Sequence, residues 1–391
     1  MAVARQGRVV CLSNPYDENY RAIRKEAFAP YMSAPKRRDL FRCLEMATGR
    51  ELLVLSCPPK ATVRRTPRLL RPVTTRFSSH RQLFCANLDA PKLRVPCSWA
   101  FYAVHVLRHT RHGDVLVLDN FELSYVLAAR LVSLFRKVVC VLDYEDGRHL
   151  IDRGWAGLFS SAAERWGRGL IRAAFVTHPA LGARLPAAVP WELVPGFALP
   201  ARTVAPVPNG GVKFVYTGSL DEARGIDLIL KAMDVLPEAG WTIHFAGTGP
   251  FAEPIARMVA EPRWSRRIVY HGTLSPAAAG ELTQSCHVGL NCQRESDAIS
   301  GVTFPSKIFS YLSAGLAVIS SRASEVPAIC GNACRYYDED SPESLAAVMR
   351  EAIEKFANFR KSIEEKDVTA RYSMEGTATR LKALLAKAGV S

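Results

Sequence analysis

Cys292-Gln-Arg-Glu-Ser-Asp-Ala-Ile-Ser-Gly301-Val-Thr-Phe-Pro305-Ser-Lys307-Ile-Phe-Ser-Tyr-Leu-Ser-Ala-Gly315-Leu-Ala-Val-Ile-Ser320 is the stretch whose reading decides the fold. A polar, glycine-containing loop runs into Pro305, an apolar helical pattern follows from Phe304 to Ser313, and Gly315 ends it before a buried, β-branched strand at Ala317–Ser320. The same unit recurs on the N-terminal side: strands are expected at Lys213–Tyr216, Thr242–Ala246, Ile268–Tyr270 and His287–Leu290. Helical patterns at Ile226–Val235, Phe251–Val259 and Pro276–Gln284 separate them, the alternation of a doubly wound α/β domain. Six prolines between Pro186 and Pro208 suit a semi-rigid connector. Ahead of it, short apolar runs at Val9–Leu12, Leu52–Ser56, Val115–Leu118, Val138–Leu142 and Phe175–Thr177, with helical patterns at Glu122–Phe135 and Ala162–Ile171, read as a second Rossmann-like domain. Between Pro58 and Pro96 the pattern dissolves into Arg, Pro, Ser and Thr, and loops with an irregular helix are expected. The expected domains are 1–200, 201–365 and a C-terminal helix, 366–391, that packs back on the first; two similar halves on a hinge imply a cleft.

Composition narrows the class. The 391 residues are 48% hydrophobic and 23% charged, with 25 Gly and 24 Pro dispersed along the chain, which excludes disordered and collagen-like classes. The longest apolar helical stretch, Leu123–Phe135, carries Arg130 and falls short of the roughly 20 residues that span a bilayer. The apolar run Val9–Leu12 is too brief for a secretory segment of about 7–15 residues, so a cytoplasmic protein is expected. Ten cysteines lack zinc-like spacing and read as reduced thiols, and no metal site is expected. Residues 1–113 hold 21 basic and 7 acidic residues, a surplus equal to the net charge of +14, whereas residues 201–391 are balanced. A basic first half suits an anionic membrane surface, a phosphorylated substrate or nucleic acid.

Four segments of the second half carry the chemistry. Lys213-Phe-Val-Tyr-Thr-Gly218-Ser219-Leu-Asp-Glu-Ala-Arg224-Gly225 ends a strand on glycine, supplies an arginine and opens a helix whose free N–H groups favour an anion. Phe245-Ala-Gly247-Thr-Gly249-Pro lacks the third glycine of a dinucleotide fingerprint and reads as a tight turn. Ile268-Val-Tyr-His271-Gly272-Thr273-Leu-Ser offers backbone groups at a strand end. In the fourth segment Lys307 opposes the dipole at a helix start, a cost that makes sense with an anion between them, a diphosphate being the natural candidate.

In this order the four segments, about residues 212–330, resemble the donor domain of GT-B glycosyltransferases, especially family 4 members of bacterial polysaccharide synthesis. The resemblance implies two Rossmann-like domains facing a cleft and transfer of a sugar from a UDP- or GDP-sugar, with retention, no metal and no cofactor beyond that substrate. It implies Arg224 and Lys307 as the catalytic cations on the diphosphate, and Gly218, Ser219, Gly247, His271, Thr273, Thr303, Phe304, Pro305 and Ser306 around the donor. Where the family carries a pair of glutamates, the second of them on the ribose hydroxyls, this chain has Val302 and Ser310; Ser310 is then the weaker hydrogen-bonder, with Glu295 or Asp297 as substitutes facing the sugar.

In the first half Asp143-Tyr-Glu145-Asp146-Gly-Arg-His149 ends a strand, where open α/β sheets bind ligands, and its carboxylates suit a general base for an acceptor hydroxyl, which keeps an inverting route open. Asn14, Tyr16 and Asp17 follow the first strand and are expected on the acceptor side with His149. The basic residues Lys36-Arg37-Arg38, Arg64, Arg65, Arg68, Arg71, Arg76 and Arg81 alternate with apolar ones, a surface for anionic headgroups or a lipid-linked acceptor. A peripheral enzyme at the inner membrane face is therefore expected, acting in exopolysaccharide, capsule or lipopolysaccharide synthesis. No nucleic acid is expected as a partner, since no RNA-binding signature is present; the alternative is a non-enzymatic nucleic-acid- or membrane-binding protein with two Rossmann-like domains.

Overall fold

A computed structural model describes residues 7–15, 34–58, 68–90, 93–147, 154–199, 210–296, 298–338 and 340–390. The chain divides into two compact units, Met1–Val194 with Thr377–Ser391, and Pro195–Gly376.

The first unit is built on strands β1 (Val9–Leu12), β2 (Leu52–Ser56), β3 (Arg68–Leu70), β4 (Val73–Phe77), β5 (His80–Phe84), β6 (Asn87–Asp89), β7 (Val115–Asp119), β8 (Val139–Tyr144), β9 (Ile171–Val176) and β10 (Trp191–Leu193). Eight of them form one sheet in the order β10-β9-β8-β7-β1-β2-β5-β4. β1, β2 and β7 are buried along their whole length, as expected of continuous Val/Leu runs covered on both faces. The chain leaves β1 toward β2 and returns to its other side as β7, so the order reverses between β1 and β7. The segment 68–89 corrects the sequence expectation of loops and irregular helix. β4 and β5 are an antiparallel hairpin joined through Ser78 and Ser79, and β3 pairs with β6. The reason is period-two alternation, half-buried or buried against exposed, in Val73-Thr-Thr-Arg-Phe77, directly after Pro72. The helix at Met374–Lys387 buries Leu381, Leu384 and Leu385, and Arg380 Nε donates to Glu192 of β10 at 2.9 Å.

In the second unit β11 (Val212–Thr217), β12 (Trp241–Ala246), β13 (Ile268–Tyr270), β14 (Val288–Asn291), β15 (Ala317–Ser320) and β16 (Arg335–Tyr336) form an all-parallel sheet in the order β13-β12-β11-β14-β15-β16. This is the doubly wound order whose reversal lies between β11 and β14, where such sheets bind ligands. Phe214, Tyr216, Phe245, Leu290 and Ile319 fill its core. Truncating Phe245 to Ala would cost about 3–5 kcal/mol. The helix expected from Phe304 starts at Lys307 instead, because Thr303–Ser306 remains loop ahead of it.

Candidate functional site

At the switch point of the second sheet the strand-end loops hold one another by backbone. Gly218 N–H donates to Ala246 O at 2.9 Å, Leu220 N–H to Thr248 O at 2.8 Å, and Gly247 N–H to Gly272 O at 2.8 Å. Gly247, at φ 147°, lies so close that a Cβ there would overlap the Gly218 carbonyl. Gly225, at φ 68°, precedes the helix Ile226–Met233, and a Cβ on it would overlap the Cys292 carbonyl. Both glycines serve close backbone approach as well as a left-handed conformation.

Two cations stand in this crevice. Lys307, first residue of the helix Lys307–Ser313, sets its Nζ 3.8 Å from the Tyr216 ring centre and 3.5 Å from where a Cβ on Gly218 would lie. Burial, and then the nearby Arg224, push its pKa down to about 7. The Arg224 guanidinium donates to Gln293 Oε1, while its backbone N–H is taken by Asp221 Oδ1 at 3.0 Å. Gln293, 2% exposed, is fixed in turn: its Nε2 donates to Ser300 Oγ at 2.9 Å and Ser324 Oγ at 2.7 Å, which orients its carbonyl oxygen toward the arginine. Among the described residues no carboxylate is ion-paired with Lys307 or Arg224. Arg294, one residue on from Gln293, spends its charge on Asp227 at 2.5 Å.

The other donor-side candidates divide. Ser219 Oγ donates to Asp221, and the Ser219 carbonyl accepts from Tyr216 Oη at 2.8 Å. His271 stacks on His244 with ring centres 5.3 Å apart and a ring nitrogen contact of 3.1 Å. Burial holds both imidazoles neutral, His244 at about 4 with His271 adding to the effect. Phe304 is buried 5.3 Å from Phe309, Pro305 is buried beside it, Thr303 is half-buried, and Thr273, Glu295, Ser306 and Ser310 are exposed. Asp297 lies outside the described residues.

At the switch point of the first sheet the charges compensate one another. Arg37, 8% exposed, is ion-paired with Asp119 at the end of β7 and with Glu145 at 3.4 Å, and donates to Ser13 Oγ at 2.5 Å. Lys36 Nζ meets Glu145 Oε1 at 2.9 Å. Lys36 and Arg37 are thus internal partners, which corrects their expected place on a basic outer surface. Asn120, at φ 59°, accepts from the backbone N–H groups of Glu145 and Asp146 at 2.8 and 2.9 Å and shapes the acidic turn. Burial, then the Glu145 charge, push the Asp143 carboxyl up to about 7. Burial opposes the charge of Glu145 too, yet Lys36 and Arg37 hold it below the ordinary carboxylate range. Asn14 Oδ1 accepts from Cys57 N–H at 2.8 Å, tying the β1 and β2 exits. Tyr16, Asp17 and His149 lie outside the described residues.

Residues 211–355 match the family described as Glycosyl transferases group 1. Solved structures similar to the whole chain include sucrose-phosphate synthase from Thermosynechococcus elongatus, 13% identical, TM-score 0.64, covering 98% of this chain and 99% of that one. Anabaena HepE in complex with UDP is 11% identical with a TM-score of 0.66, covering 97% of this chain and 99% of that one. The lipopolysaccharide outer core galactosyltransferase WaaB, in its apo form, is 11% identical with a TM-score of 0.61 over the same shares, 97% and 99%. This chain is a glycosyltransferase of GT-B fold whose second unit carries a group 1 domain. No curated protein matches it.

The family match overturns the non-enzymatic alternative. Sequence reasoning passed over three residues of this glycosyltransferase: Gln293, a neutral side chain between Cys292 and Arg294; Asp119, the last residue of a strand read as closing at Leu118; and Asn120, directly after it. For the last two a signal was available, since Asp119-Asn120 is a polar pair directly after an apolar run, where a strand-end loop begins.

Proposed function

We propose that this glycosyltransferase moves a sugar from a nucleoside-diphosphate donor to a saccharide or lipid-linked saccharide in exopolysaccharide, capsule or lipopolysaccharide synthesis, working at the inner membrane face. The observation that carries the donor half is the pair Lys307 and Arg224, two cations at the switch point with no described ion-pair partner. A diphosphate supplies the missing anion. As the bond from the sugar's anomeric carbon to the diphosphate breaks, negative charge grows on the leaving oxygen, and both cations offset it from fixed positions. HepE was solved with UDP and with UDP-glucose, which favours a uridine donor here. The resemblance favours retention; on the acceptor side Asp143, with its pKa near 7, has the proton affinity suited to taking a hydroxyl proton.

Thermal stabilisation of the purified protein by UDP, GDP, ADP and a short single-stranded RNA tests the reading, since a ligand of the native state raises apparent stability. Selective stabilisation by one nucleoside diphosphate, lost in Lys307→Ala and Arg224→Ala, is expected. Equal stabilisation of both variants by that nucleotide, or a response to RNA alone, would overturn it.

A further inference from the structure

The first unit holds a cavity of about 260 Å³ between the β4–β5 hairpin and the helix Arg94–His109. Its lining is graded. Leu83 and Phe84 are buried in the hairpin wall, and Phe101 and Val104 of the helix wall are 40% and 45% exposed, much for large apolar groups. Phe101, Val104 and Arg108 are spaced three and four residues apart, so one helix face passes from apolar to cationic within two turns. Arg81 and Leu83 repeat the change across the cavity, two residues apart on one side of the strand. Arg81 and Arg108, both exposed, thus line the same cavity, one from the hairpin and one from the helix. Among the described residues no acidic one lines the cavity. Burial, then His109, hold the His105 imidazole neutral at about 4, so the positive charge here belongs to the arginines.

We infer that this cavity binds a phosphate-bearing membrane lipid, its headgroup on Arg81 and Arg108 and the start of its acyl chain on Phe101 and Val104. Charge complementarity selects an anion, and the exposed apolar rim selects one attached to a chain rather than a free ion, which would leave Phe101 and Val104 in water. The inference rests on the proposed function for the reason a lipid surface matters, namely an acceptor held at a membrane, but it concerns a region apart from the donor crevice.

Flotation of the full chain with phosphatidylcholine vesicles, with and without phosphatidylglycerol, is the test. The wild type should float only with the anionic vesicles. The pair R81E/R108E should lower the bound fraction by at least about tenfold, as two charges near a membrane imply. A control with the same change of net charge in the second unit, R257E/R266E, should not. F101S/V104S should weaken binding while keeping both charges. Stabilisation by UDP, measured on every variant, reports folding and the donor crevice separately, so loss of flotation with UDP binding intact is a result about this cavity. Flotation of R81E/R108E equal to wild type, equal loss in the control, or displacement of the wild type from vesicles by inorganic phosphate alone would overturn the inference.

Discussion

The two sheets place charge at corresponding points, beyond the strand ends where each order reverses, and build the two sites in opposite ways. In the first unit Arg37, Lys36, Asp119 and Glu145 answer one another directly. In the second, Lys307 rests on an aromatic ring and Arg224 on a neutral amide. A cluster whose charges cancel internally holds a loop in shape; a cation pair held by neutral groups keeps its charge for a ligand. The contrast separates residues that serve stability from residues that serve binding, and substitutions should sort accordingly.

The largest effects break the contrast outright. Lys307→Ala should cut sugar transfer by about 10²–10³-fold, the size seen when one preorganised charge-stabilising donor is removed. Its melting temperature should stay close to wild type, because the native state already disfavours that charge. Asp119→Ala should do the reverse at the fold level. It leaves a buried guanidinium short of a partner, at a cost of about 3–5 kcal/mol and a fall in melting temperature on the order of 10 °C. Calorimetric melting of both variants beside their transfer rates checks the pair, and similar melting losses in both would refute the division.

Gln293→Glu sharpens the comparison by converting the second site toward the first. A carboxylate would reverse the two serine bonds, accepting from the hydroxyls to which the amide now donates, and would neutralise Arg224, so affinity for UDP should fall about tenfold. Undiminished UDP affinity would mean that the arginine's free charge is not what the site uses.

How much of this was legible in the sequence follows from the range of each interaction. Both sheets could be read because their inner strands are short apolar runs bounded by glycine and polar residues, a local signal. Arg224 and Lys307 could be singled out because each lies in a strand-to-helix turn of its own segment. Gln293 could not: its importance comes from Arg224 and Ser324, remote in sequence, while its charged neighbour Arg294, the more conspicuous residue, is consumed by Asp227. Arg37 was misplaced on an outer surface for the same reason, its partners Asp119 and Glu145 being supplied by strands far along the chain.

The pH response offers a finer test of the cation pair. With its pKa near 7, Lys307 is charged below that pH and progressively neutral above it in the free protein. A bound diphosphate favours the charged form and raises the pKa, so above about pH 7 binding takes up a proton and affinity declines as pH rises. Titrations of UDP at pH 8 in buffers of different ionisation enthalpy should show that uptake, and Lys307→Met should abolish it along with the slope.

The smallest expected effect lies in the first unit, where the pKa of Asp143 moves up while that of its neighbour Glu145 moves down. Between the ordinary aspartate value near 3.8 and the folded value near 7, the native state holds a proton that the unfolded chain has released. Stability from this group is therefore present at the acid end and lost as pH rises through 7. Glu145 acts in a separate window: its contribution is present above the ordinary glutamate value and disappears only as pH falls through its lowered folded value. Asp143→Asn carries no charge to bury, so it should melt above wild type at pH 8, with the gap narrowing as pH falls and closing near the ordinary aspartate value of 3.8. A variant that instead loses stability at pH 8 would show that the Asp143 charge is an accepted partner of Lys36 and Arg37, and the cluster would then be compensated through all three carboxylates rather than two.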